Sequence, residues 1–492
     1  MKYEEYLACA SDMKRMDADA VARMGITYER LTAYAAGAVY EFISEKLPPP
    51  ARAVILSGTG NNGADGRILA GFLTDNGYTV EKIDIGQSVS DRKRGDPFAG
   101  CDIIVDAVFG TGFRPPLPNN LRLLFKRANA SPAKKVSIDI PSGVSGDNGE
   151  ADIDAFRADY TVTFEFLKRG MAVYPGIDYC GEIAVVPIGF PDETREMILS
   201  GEKKSRLITR EAVSAVMSKY ANKTLNTHKG DFGNLFAYVG SENMPGAAYL
   251  SVMGAMRSGA GLVTLASDKR VMAALMARLA EPVFLPVDCD NFAGIEKKNY
   301  SAYLLGCGIS TRHPDVYKRI LMENVMHSGK VAVIDADGLN ILAEHINMLK
   351  QFRRGNAVIT PHPGEMAALC KSAGYIEYTT AQDVQRSRIN AATRFADQYG
   401  CVVVLKGART VAAVPGGGIY VNTTGNPGMS TAGSGDVLAG IIAGLAARGF
   451  SPEEAATTGV YLHGAAGDGA AAKFGEVSMI ASDILAQLTV NK

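Results

Sequence analysis

Gly433-Ser434-Gly435-Asp436 stands at the start of an apolar run of small residues, inside NTTGNPGMSTAGSGDVLAGIIAGLAARG (422–449). Glycines at a helix start leave backbone N–H groups open to an anion, so the segment predicts a phosphate hole. Asp436 is placed to take a proton from a hydroxyl attacking phosphorus. An Asp at a helix start is more simply a cap, but the Gly-Asn-Pro-Gly upstream favours the chemical role.

The N-terminal half carries three polar loops, each after a strand-like run: SGTGNNGADG (57–66), DAVFGTGFRPPLP (106–118) and DIPSGVSGDNG (139–149). Ligands of open α/β sheets gather at such strand ends. Ordinary turn chemistry explains one such loop; three together argue for a site. Asn62, Asp106 and Ser142 offer oxygen atoms only, which suits a hard cation rather than zinc. Asp139 is a carboxylate beside them, and Ala64 would resist a left-handed backbone.

The elements that must position these groups follow from hydrophobic periodicity. Strand-like runs at 53–58, 78–85, 102–110, 136–143, 160–166 and 183–189 alternate with helical stretches, and several are apolar almost throughout. That pattern predicts a doubly wound α/β sheet covered on both faces. The polar stretch 191–216 is read as strandless and holds the boundary, giving domains 1–205 and 206–492. The second half repeats the theme with runs at 234–240, 261–267, 302–308, 330–338, 356–364 and 401–407, then a hairpin over 410–422 turning at Gly416–Gly418. Two small-residue helices from about Gly435 and Pro452 close the chain, and one helix is expected over about 10–45, its Met and Tyr stripe serving a core or a subunit contact.

Composition removes several classes. Net charge is 51 − 52 = −1, which leaves no electrostatic case for nucleic acid or an anionic membrane. Cysteines 9, 101, 180, 289, 307, 370 and 401 form no Cys-x-x-Cys pair, so buried thiols in a reducing compartment are expected rather than zinc or disulfides. The N-terminus lacks the apolar stretch of a signal peptide and no run is long enough to span a bilayer; a cytoplasmic location is expected. Glycine is enriched, 53 of 492 residues, and its dense groups at 58–66 and 407–440 fall on the two loop systems above.

NNGADG, DAVFGTG, DIPSGV and TFEFLKRG resemble the epimerase domain of the NAD(P)H-hydrate repair enzymes (YjeF N-terminal domain), which implies a Rossmann-like three-layer sandwich interconverting R and S hydrates of NADH or NADPH with a potassium ion. The resemblance implies Asn62, Asp106 and Ser142 on K+. It implies Asn61, Asn62, Gly63, Ala64 and Asp65, then Gly110, Thr111, Gly112, Phe113, Arg114, Pro115 and Pro116, on the substrate with Asp139. Asp139 is the acid/base candidate, with Lys168 as an assistant or a solvated strand-end lysine.

GSGD, with THKGDFGNL, RSGAGLVTLA, DADGLN, TPHPGE and LKGART, resembles the ADP/ATP-dependent NAD(P)H-hydrate dehydratase (YjeF C-terminal domain), which has a ribokinase-like α/β fold. The implied chemistry is phosphorylation of the hydrate hydroxyl, then elimination of phosphate to restore reduced nicotinamide. The resemblance implies Asp436 as base. It implies Lys406, Gly407, Ala408, Arg409, Thr410 and Gly435 on the nucleotide, and Ala247, Gly308, His362 and Asp436 on the hydrate, with Mg2+ accompanying ADP or ATP. A bifunctional, homo-oligomeric repair enzyme is therefore expected. The alternatives are a ribokinase-like small-molecule kinase releasing a stable phosphorylated product, and an N-terminal half that only binds or oligomerises.

Overall fold

The computed structural model describes residues 5–85, 96–201, 205–221, 225–287, 299–312 and 314–489. Two compact units divide the chain, Met1–Ser205 and Arg206–Lys492. No helix among the described residues is long and apolar enough to cross a membrane. Six of the seven cysteines are described and all six are free thiols; Cys289 lies outside the described residues.

In the first unit the chain runs β1 (Leu7–Ala8), α1 (Ala10–Met24), α2 (Tyr28–Lys46), β2 (Arg52–Ser57), α3 (Asn61–Asp75), β3 (Thr79–Asp84), β4 (Ile103–Ala107), α4 (Asn119–Ala130), β5 (Lys134–Ile138), β6 (Tyr160–Phe164), β7 (Leu167–Lys168), β8 (Glu182–Val186) and α5 (Asp192–Leu199). Six strands make one sheet in the order β3-β2-β4-β5-β6-β8, every pair parallel. Alternate residues face opposite sides, as pleating requires. Ala53 and Ile55 pack under α1, α2 and α3, whereas Val54 and Leu56 pack under α4 with Phe125. The result is the three-layer sandwich expected. Strand order reverses between β2 and β4, so the loops after these two strands diverge and leave a crevice.

The N-terminal helix differs from expectation. It breaks into α1 and α2 at Gly25, whose φ of 62° closes α1, and Thr27 then caps α2 through the Arg30 N–H. The stripe is core in part: Met16, Ala20, Leu31, Ala36, Val39 and Ile43 are buried together, whereas Tyr28 and Tyr34 are exposed.

The second unit continues with β9 (Ser205–Ile208), α6 (Arg210–Lys219), β10 (Asn234–Tyr238), α7 (Pro245–Arg257), β11 (Leu262–Ser267), α8 (Lys269–Leu275), β12 (Val283–Pro286), β13 (Ala302–Leu305), α9 (Pro314–Ile320), β14 (Val331–Ile334), α10 (Asp337–Glu344), β15 (Ala357–Ile359) and α11 (Pro363–Ser372). It ends with α12 (Ala381–Arg386), α13 (Arg388–Tyr399), β16 (Val402–Leu405), β17 (Val411–Val414), β18 (Gly418–Asn422), α14 (Ser434–Ala447), α15 (Pro452–Phe474) and α16 (Ala481–Gln487). The sheet order is β12-β11-β10-β13-β14-β15-β16-β17-β18-β9. The first seven strands are parallel and β16, β17 and β18 are antiparallel neighbours, the last two forming the expected hairpin.

Two expectations are corrected here. The stretch 191–216 is not strandless: Ser205–Ile208 supplies the edge strand β9, too short and too charged to stand out in sequence. A third helix, α16, follows the two small-residue helices. Those small residues have a packing reason. A Cβ at Gly440 would overlap the backbone carbonyl of Ser251, so glycine is what lets α14 lie against α7.

Candidate active sites

The first site lies at the β2/β4 switch point. Asn61 to Asp65 form not a loop but the first turn of α3, whose N-cap is Gly60. Ala64 is helical there, so no left-handed backbone is demanded of it. Asn62 donates to the carbonyls of Phe109, at 2.8 Å, and Ile138, at 3.2 Å, tying α3 to the ends of β4 and β5. Its own Oδ1 is buried and has no hydrogen-bond partner among the described residues. Asp106 is fully buried; its oxygens accept from Ser142 Oγ at 2.6 Å, Ser142 N at 2.7 Å, Ser137 Oγ at 3.0 Å and Val108 N at 3.2 Å. Burial raises the Asp106 carboxyl to about 6, against the pull of these donors.

Asp139 follows β5 in a left-handed conformation, φ 66°, which few non-glycine residues adopt. Its Oδ1 takes Lys168 Nζ at 2.6 Å and Thr163 Oγ1 at 3.1 Å. Lys168 is wholly buried, so the solvated-lysine alternative is wrong: the ammonium also donates to Thr163 Oγ1 and the Phe164 carbonyl, both at 2.8 Å. A Cβ at Gly110 would come to rest 3.6 Å from Asn62 Cβ and 3.7 Å from Asp139 Oδ2, so all three line one space. On the same loop Phe113 stacks on Phe109, and Arg114 pairs with Asp147, which also accepts from Ala10 N at 2.7 Å.

The sequence reading missed Asp17, on α1. It feels Asp139 and Lys168, and burial raises it to about 6. Asp65 is raised further, to about 8, by burial and then by the charges of Asp139 and Asp17. Hydrophobic pattern assigns α1 to packing, and nothing local marks Asp17.

The second site sits at the carboxyl ends of β10, β13, β14, β15 and β16. Ala247 and Gly308 meet there: a Cβ on Gly308 would fall 2.7 Å from that of Ala247. Asp436 is the third residue of α14, whose N-cap is Gly433. Its carboxylate lies in one cluster with Cys307 and Asp335, their potential ligand atoms within 4.8 Å of each other. Burial, then the Asp335 charge, raises Asp436 to about 6. Lys406 Nζ holds Asp335 Oδ1 at 2.7 Å and stands 3.8 Å from Glu365 Oε2. Burial works against the ammonium, but Asp335 and Glu365 outweigh it and the Lys406 pKa is raised. A Cβ at Gly435 would approach Lys406 Nζ at 3.4 Å and Asp335 Oδ2 at 3.8 Å, which brings this glycine onto the same charged group.

Gly407 and Ala408 are exposed, and Thr410 closes their turn on the Gly407 carbonyl at 2.9 Å. Arg388, buried beneath, holds the loop through the carbonyls of Leu405 and Lys406. Arg409, in the turn between β16 and β17, has φ 55°, a left-handed backbone like that of Asp139. His362 is an exposed N-cap: its Nδ1 accepts from Gly364 N at 3.0 Å and Glu365 N at 3.2 Å, and its Nε2 stands 3.5 Å from Glu365 Oε1. Asp335 and Glu365 were legible only as parts of DADGLN and TPHPGE; their partnership with Lys406 was not.

Comparison with known proteins covers both units. The family described as NAD(P)H-hydrate dehydratase matches residues 237–489. The family described as YjeF-related protein N-terminus matches residues 28–92 and 81–170. A bifunctional NAD(P)H-hydrate repair enzyme of Moorella thermoacetica is 34% identical, over 98% of this chain and 95% of that protein. Its Escherichia coli counterpart is 30% identical, over 97% and 92%. Among solved structures, an ADP/ATP-dependent NAD(P)H-hydrate dehydratase from Bacillus subtilis, co-crystallised with ATP/Mg2+, is 27% identical over 57% of this chain and 95% of that one, with a TM-score of 0.49.

Proposed function

This chain belongs to the bifunctional NAD(P)H-hydrate repair enzymes, and from that premise we propose how its two units divide the work. The protein epimerises R and S hydrates and dehydrates the S form to NADH or NADPH. A kinase releasing a stable phosphorylated product does not fit a chain that matches both halves of the repair enzymes throughout.

Residues 1–205 are the epimerase. The observation that carries this is the Asp139–Lys168 pair, a carboxylate held in a strained backbone and tied to a wholly buried ammonium in the switch-point crevice. Such strain is characteristic of functional sites. Potassium fits the neighbouring oxygens: Asn62 Oδ1 is a buried acceptor without a donor, beside buried Asp106 and Ser142. Bound there by Asn62, Asp106 and Ser142, the ion would supply positive charge beneath the substrate phosphates. Asn61, Gly63, Ala64, Asp65 and the loop Gly110 to Pro116 would meet the substrate.

Residues 206–492 are the dehydratase. Asp436 takes the proton of the hydrate hydroxyl as it attacks the terminal phosphoryl group; elimination of phosphate then regenerates the nicotinamide ring. Lys406 holds Asp335 and lies beside Gly435, so its charge favours transferring phosphate oxygens. Nucleotide would rest on Gly407 to Thr410 and Gly435, and hydrate against Ala247, Gly308 and His362. Magnesium would enter with the nucleotide phosphates. The Cys307, Asp335 and Asp436 cluster does not fit as its cage, since Asp335 is committed to Lys406 and a thiol suits a hard cation poorly.

The test is to supply mixed R and S hydrates with ADP or ATP and follow absorbance of reduced nicotinamide. Full recovery supports both activities, recovery of the S fraction alone supports only the dehydratase, and no recovery refutes the reading.

A further inference from the structure

We propose that Asp65 is the proton donor of the epimerase site, working opposite Asp139 as proton acceptor. The proposal rests on the epimerase reading above and adds a second catalytic residue to it.

The two carboxyls occupy contrasting environments in one crevice. Asp139 is ion-paired with Lys168 at 2.6 Å and accepts from Thr163 at 3.1 Å. Asp65 is 9% exposed, and among the described residues its carboxyl has neither a hydrogen bond nor an ion pair. A buried carboxylate in that position is unstable, whereas a buried carboxylic acid is not. The charged groups facing it come from two other elements: Asp139 after β5, itself held by Lys168 on β7, and Asp17 on α1. Parallel pairing of β1 with β7, which sets Ala8 opposite Lys168, holds the start of α1 against this site. Burial first, then Asp139 and Asp17, push Asp65 up to about 8, so it keeps its proton at neutral pH. A buried carboxyl without a partner beside a carboxylate held by an ammonium is an arrangement suited to one acid and one base.

The chemistry needs such a pair. The hydrate carbon carries a hydroxyl and is bonded to the ring nitrogen. Asp139 takes the hydroxyl proton, the carbon–nitrogen bond breaks with its electron pair going to nitrogen, and the carbon–oxygen bond becomes a carbonyl. Asp65 gives its proton to the nitrogen. Rotation about the adjacent carbon–carbon bond presents the other face of the aldehyde. The nitrogen re-adds, returns its proton to Asp65, and Asp139 returns the other to oxygen. Nothing is consumed and the enzyme is reset, in either direction.

The experiment compares wild-type full-length protein with Asp65→Asn, measuring R-to-S conversion across pH, with the thermal melt of the full chain and protease resistance of residues 1–205 as the control for folding. Conversion by Asp65→Asn is expected to fall about 100-fold or more. Wild-type conversion is expected to decline as pH rises through about 8, a limb a merely structural residue would not create. A variant within about threefold of wild type, or a wild-type rate that stays flat through that pH, overturns the proposal. A wild-type chain without R-to-S conversion overturns the epimerase reading as well.

Discussion

The Lys406 ammonium meets Asp335 Oδ1 at 2.7 Å across 71 residues of sequence, joining the ends of β16 and β14 beside the carboxylate of Asp436. Removing one partner of a buried pair leaves the other charge uncompensated. Lys406→Met is expected to cost about 3–5 kcal/mol of stability. Because Lys406 holds the Asp436 pKa down, the variant should also shift the acid limb of dehydration to higher pH. Denaturant melts and a pH–rate profile measure the two effects.

Asp436 must be ionised to act as base, and its pKa is raised to about 6. Dehydration should therefore rise with pH through about 6 and level off above it. Asp436→Asn should lower turnover by about 100-fold or more while nucleotide still binds. Steady-state kinetics with a nucleotide titration check this, and retained turnover would remove Asp436 from the role.

Replacing K+ by a large organic cation should depress R-to-S conversion and spare dehydration of the S form. Asn62→Ala should behave alike in full K+. Recovery of reduced nicotinamide from a mixed sample should then stop at the S fraction. Equal recovery with and without K+ would show that the unpartnered Asn62 oxygen has another use.

His362 is expected to act on stability and on binding separately. His362→Ala loses the cap on α11 and should cost about 1 kcal/mol. His362→Asn keeps a capping oxygen, so it should restore stability while the KM for hydrate stays raised. Recovery of both in His362→Asn would reduce the histidine to a cap.

Asp65 gives a stability prediction independent of catalysis. Its folded pKa of about 8 lies above the ordinary value of about 4. Between those values the folded chain holds a proton that the unfolded chain has released, so rising pH favours unfolding. Asp65→Asn removes that dependence. The difference in Tm, variant minus wild type, should grow from about pH 4 to about pH 8 and then level. A difference constant with pH would mean Asp65 is not held protonated.

The sequence by itself determined most of the architecture. Short apolar runs such as Val54–Leu56 and Val402–Leu405 suit strands buried on both faces, and the helices between them favour parallel order. It marked the two glycine clusters too, Gly58–Gly60 directly after β2 and Gly433–Gly435 at the start of α14. It did not reveal β9 or the break at Gly25. A four-residue edge strand has little hydrophobic signal, and a left-handed glycine inside a continuous amphipathic stripe looks like part of the helix. Only the tertiary structure decided which charges meet. Lys168 closing on Asp139, Lys406 closing on Asp335, and an Asp65 carboxyl without a partner among the described residues are outcomes of strand order, which brings together residues remote in sequence. The protonation of Asp65 then follows from the water that the surrounding layers exclude and from the charges of Asp139 and Asp17.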